Sequence, residues 1–137
     1  MKITMEINEE QAHTLLKALD AFSRLHMGQL NIVMSDILIS HQKRFEKEQL
    51  NMVLAIPKAI LDLSDSISAM FTGMPPNASF SIGSPEIPDM AREAYDMQQV
   101  LRYKLAWEKN LSGGYTVNFQ KPMKTSELDL PKVTIEK

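Results

Sequence analysis

The side chains best equipped for chemistry fall on one side of a single stretch near the middle of the second half. Read as a helix, Asp89 to Glu108 places Arg92, Tyr95, Asp96, Gln99, Arg102 and Tyr103 within an arc of about 120°, with Trp107 beside it. Guanidinium groups bind phosphate or carboxylate bidentately. Tyrosine rings stack on apolar or π surfaces while their hydroxyls donate hydrogen bonds. This set could therefore hold a small anionic, nucleotide-like ligand. The same Arg and Tyr pairing is enriched at protein interfaces. A plainly solvated face would carry Glu and Lys, yet Glu93 and Lys104 lie towards the apolar side. The structural alternative is that the face packs on an irregular neighbouring loop, with Arg92 and Asp96 as an i,i+4 ion pair.

That loop runs from Thr72 to Pro88 and holds four of the seven prolines and two of the five glycines. Loops of this length inside compact domains are usually functional or disordered, and four prolines argue against plain disorder. Its Asn77 and Ser79 would add polar groups to the ligand site, Asn77 offering an amide.

Other chemistries find less support. The three histidines, His13, His26 and His41, form no metal-ligand pair at helical spacing. His13 belongs to a charged face and His26 to an apolar stripe, where solvation and a satisfied core hydrogen bond explain them. With no cysteine, a disulfide, thiolate nucleophile or Cys-ligated metal is impossible. Ser112-Gly113-Gly114 could cradle an anion with backbone N–H groups, but it reads more simply as a turn. Asp62 and Asp65 lie one turn apart, a chance spacing on a helix. No catalytic residue, metal site or cofactor is assigned, and an enzyme of unrecognised class remains only the third alternative.

These residues need elements to position them. Lys2 to Ile7 alternates apolar and polar residues and predicts a short strand. Asn8 as N-cap with Gln11 three residues on predicts a capping box opening a helix from Glu9 to about Met27. Ala12, Leu15, Leu16, Leu19, Phe22 and His26 form its apolar stripe; Glu9, His13, Lys17, Asp20 and Arg24 form its charged one. Residues 29–42 are apolar on several sides and read as helix or strand, with length favouring helix. The charged run His41 to Glu48 reads as a turn or helix end. The helical pattern resumes from Phe45 to Phe71, where Pro57 should kink or split it. Ser79 to Ile82, Tyr115 to Phe119 and Val133 to Ile135 read as short strands. The expected fold is α+β: a helix-dominated single domain over residues 1–120 with a small antiparallel sheet of about three short strands. Residues 121–137 would be an extended C-terminal arm or edge strand, packed on the same chain or on a neighbour.

Composition agrees with one domain. The chain has 137 residues, 44% of them apolar and 23% charged, and a net charge of −2. Collagen and disulfide scaffolds are excluded, and a dedicated nucleic-acid binder would need a basic excess. No signal-peptide or membrane-spanning apolar run is present, so a cytoplasmic protein without membrane contact is expected. Ten methionines are many for this length. Met5, Met34, Met70 and Met97 fit apolar faces as gap-fillers. Met27, Met74, Met90 and Met123 fall at element ends, where an adaptable surface would meet a partner.

Gly73-Met74-Pro75-Pro76-Asn77-Ala78-Ser79, the run Ala94 to Arg102, Leu105-Ala106-Trp107 and Gly113-Gly114-Tyr115-Thr116-Val117 resemble a group of small uncharacterised accessory proteins of tailed bacteriophages. Glu10 to Ala12 and His26 to Leu30 are similar as well. The resemblance covers most of the chain from Ile3 to Ile135. It carries no catalytic residue across. It implies a non-catalytic accessory protein acting in the host cytoplasm, with anti-defence activity as one outcome. Sequestering a small anionic signal at Arg92, Tyr95, Gln99, Arg102, Tyr103, Asn77 and Ser79 is the leading expectation, and inhibition of a host protein is the alternative. The all-round apolar segment 29–42 adds the expectation of a homo-oligomer.

Overall fold

Among the described residues the regular structure is four α-helices: α1 (Glu9–His26), α2 (Leu30–Gln42), α3 (Leu50–Thr72) and α4 (Asp89–Lys109). A 3-10 turn, Val117–Phe119, follows α4. The computed structural model describes residues 3–42 and 50–136, with side chains for residues 3–40 and 58–136. The charged run after His41 and the helix start at Phe45 lie outside the described residues.

The expected α+β fold with its three-stranded sheet is wrong: among the described residues there is no strand. Ile3 to Ile7 has no regular structure and pairs in no ladder, and Ile3 and Met5 are largely exposed. Ser79 to Ile82 is irregular backbone entering a turn, and Val133 to Ile135 has no regular structure and no ladder. Within the Tyr115–Phe119 stretch, residues 117–119 curl into a 3-10 turn, Phe119 N–H donating to Thr116 O and Gln120 N–H to Val117 O, each at 3.1 Å. Arg102 donates to the Val117 carbonyl at 2.7 Å and the Trp107 indole N–H to that of Phe119 at 3.4 Å. A carbonyl satisfied by a side chain has less to gain from a ladder.

The chain divides into two compact units, Met1–Ser23 with Pro88–Lys137, and Arg24–Ile87. In the first unit the capping box forms as read. Gln11 N–H donates to the Asn8 side-chain oxygen at 2.9 Å, and Asn8 N–H donates to the Gln11 side-chain oxygen at 3.0 Å. Ala12 is buried and Leu15, Leu16 and Leu19 half-buried, while Ser23 completes the stripe fully buried. Its hydroxyl donates to Leu19 O at 3.0 Å and Ala91 O at 3.1 Å, joining α1 to the start of α4.

In the second unit α2 packs along α3. Residues 30–42 are helical, and α3 runs through position 57 without a break. Gly28, with φ +80°, ends the turn after α1, and a Cβ there would lie 2.7 Å from the Thr72 methyl. Met27 is buried beside it, so core packing does explain this methionine after all. The carbonyl of Met27 accepts from Phe80 N–H at 2.9 Å, tying the proline-rich loop to this corner.

Candidate functional site

Helix α4 is buried on almost every side, its polar face included: Asp96, Gln98 and Gln99 are as enclosed as Ala94, Val100 and Leu101. Asp96 is only 2% exposed. Its carboxylate accepts four hydrogen bonds from two consecutive residues of the C-terminal segment. Thr125 N–H and hydroxyl reach Oδ1, each at 2.8 Å. Ser126 N–H and hydroxyl reach Oδ2 at 2.9 and 2.7 Å. A buried carboxylate is tolerated when donors saturate it in this way. The expected Arg92–Asp96 pair is therefore replaced. Arg92 lies instead 3.7 Å from exposed Asp89, a weak surface pairing.

Arg102 and Gln99 do meet. The Gln99 side-chain oxygen accepts from Arg102 Nη2 at 2.5 Å, and its amide nitrogen donates to Gln98 at 2.9 Å. Arg102 Nη1 holds Val117 O. Burial pulls the Arg102 guanidinium below its ordinary pKa, partly offset by the nearby Tyr95 hydroxyl. Tyr95, Gln99 and Arg102 thus cluster as the helical arc predicts. Tyr103 leans on Trp107 with ring centroids 6.1 Å apart, and Trp107 meets Phe119 edge-to-face at 5.5 Å. Gly113 and Gly114 serve these rings: a Cβ on Gly114 would sit 2.6 Å from the Phe119 ring. Asn110 closes the same turn by donating to Gly113 O at 2.6 Å and accepting from Ser112 N–H at 3.2 Å.

Asn77 and Ser79 belong to the second unit. Asn77 is exposed with φ +65°, and Ala78 N–H donates to Pro75 O at 3.0 Å. Proline followed by a left-handed Asn at the centre of a turn fits type II geometry. Ser79 is exposed and accepts from Gln29 at 3.3 Å.

Sequence reasoning missed Thr125 and Ser126. The available signal was a small hydroxyl pair in a segment otherwise read as a plain arm. It also missed a groove of about 460 Å³ along the C-terminal end of α4, walled by Trp107, Leu111, Val133 and Ile135, with Lys104 and Lys132 at its edge. No described cluster of His, Asp and Glu could hold a metal ion.

The chain matches no protein-family model, no curated protein and no solved structure.

The second unit presents the other candidate surface. On α3, Leu63, Ile67, Met70 and Phe71 share one stripe at i, i+4, i+7 and i+8, and all are exposed, Leu63 at 60% and Met70 at 86%. The side α3 buries carries Ser64 and Ser68 instead. Ser64 donates back to Ile60 O at 2.7 Å, while the Ser68 hydroxyl is buried without a partner. From Leu63 to Phe71 the helix is inverted relative to an ordinary surface helix. On α2, Ile32, Ile37 and Ile39 are exposed too. Among the described residues, no helix is long and apolar enough to cross a membrane.

Proposed function

We propose that this chain acts by binding a protein through the exposed apolar stripe of α3, as a protein-directed accessory factor. The inverted amphipathicity of α3 carries the reading: serines face inward while Leu63, Ile67, Met70 and Phe71 face out. Contiguous exposed apolar stripes on soluble proteins mark interaction sites. A helix offering anchors at i, i+4, i+7 and i+8 suits a hydrophobic groove on a partner. The resemblance to tailed-phage accessory proteins makes a host enzyme or defence complex, met in the host cytoplasm, the intended target. Met70→Glu and Leu63→Lys should leave the fold intact and abolish stoichiometric capture of a partner from host lysate. Equal capture by parent and variants would remove α3 from the account.

A second reading keeps a small anionic ligand at Tyr95, Gln99 and Arg102, because these three cluster. The ligand would compete with Val117 O and Gln99 for the Arg102 guanidinium, and Arg92 and Tyr103 would border it. It predicts a rise in melting temperature with some member of a panel of linear and cyclic nucleotides. A panel without effect ends it.

A further inference from the structure

Both ends of the first unit carry the pattern of a strand and lack a ladder. Ile3 and Met5 are 78% and 64% exposed, although the capping box fixes where their segment enters α1. At the other end, Val133 and Ile135 wall the groove beside Trp107 and Leu111. The Thr125–Ser126 clamp on Asp96 anchors the segment that leads to them. Extended backbone with unpaired N–H and C=O groups is a template for strand addition.

The two segments are complementary in one register. Laid antiparallel, Ile3 stands opposite Ile135, Thr4 opposite Thr134, Met5 opposite Val133 and Glu6 opposite Lys132. Matched apolar, Thr–Thr and opposite-charge pairs are those that stabilise neighbouring strands. The parallel alternative that keeps the apolar pairs sets Glu6 against Glu136, and like charges directly opposite are unfavourable. In the antiparallel register Ile3 and Met5 extend the apolar wall made by Val133 and Ile135. A self-pair of the N-terminal segments would have no such floor.

We propose that the occupant of this groove is residues 3–7 of a second copy, the two copies exchanging N-terminal strands reciprocally. Within one chain the segments share a unit yet form no ladder, so the pairing is completed by association. A two-fold exchange closes on itself and makes two ladders, and the groove is complete only with the partner's strand. A two-stranded ribbon alone is marginal in water; Trp107 and Leu111 supply the apolar surface it needs. This surface is separate from the α3 stripe.

The absence of cysteine makes the test clean. Thr4→Cys and Thr134→Cys chains, made separately, mixed and mildly oxidised, should give a covalent heterodimer on a non-reducing gel. Neither chain alone should cross-link comparably. Glu6→Lys in the first chain or Lys132→Glu in the second should lower the yield severalfold, and both together should restore it. Circular dichroism checks that each variant folds. Predominant Thr4→Cys homodimers would overturn the proposal. So would a doubly substituted chain closing on itself at any dilution, no cross-link in the mixture, or unmodified protein that stays monomeric by light scattering.

Discussion

Asp96 decides the geometry of the C-terminal segment. Replacing it with Ala strands two backbone N–H groups and two hydroxyls, and at 1–3 kcal/mol per unsatisfied buried group the cost should be about 3 kcal/mol or more. The urea midpoint should fall, and proteolysis should speed up between residues 121 and 136. An unchanged midpoint would mean that these bonds contribute nothing. Ser68 is the opposite case: its hydroxyl is buried without a partner, so Ser68→Ala should be neutral or stabilise by up to about 1 kcal/mol. At Gly114 a methyl group meets the Phe119 ring, and overpacking of this kind costs about 1–3 kcal/mol. Gly114→Ala should therefore lower the melting temperature, and much less so in a Phe119→Ala background. Equal effects in the two backgrounds would show that the ring is not what the methyl meets.

Among the elements, helices were legible and strands were not. Asn8 and Gln11 mark the start of α1 directly, because this cap acts through a neighbour three residues away; Pro88 precedes α4 without a side-chain cap, its fixed φ suiting a helix start. Period-two alternation in Ile3–Ile7 and Val133–Ile135 fits a strand, but a ladder needs a second strand that local pattern does not supply, and neither segment forms one. On the Arg/Tyr arc of α4, Arg102 bonds to Gln99 and to the Val117 carbonyl. What occupies the polar face of α4 was not legible, since Val117, Thr125 and Ser126 arrive from 15 to 33 residues away. The methionines sorted poorly for the same reason: Met27 is buried, while Met5 and Met70 are exposed. An apolar stripe shows which side of a helix is apolar, not whether that side faces inward. On α3 it faces out. Leu63→Lys should accordingly change stability by no more than about 0.5 kcal/mol in urea unfolding, as substitutions at exposed positions do. A loss of several kcal/mol would mean that Leu63 is part of the core.

For the whole molecule, the two compact units carry different surfaces, an exposed apolar helix stripe in one and two segments of strand pattern without a ladder in the other. Met70, expected as a gap-filler on an apolar face, lies instead in the exposed α3 stripe. The central claim is that this stripe meets a foreign protein. It is tested most directly by a photo-reactive amino acid at Met70, irradiated in host lysate, with a control at exposed Glu10 on the charged side of α1. The account predicts one discrete heterologous adduct from position 70, absent from position 10 and lost when Leu63→Lys is added. Identical adducts from both positions, none from either, or an adduct only to a second copy of the chain would contradict it.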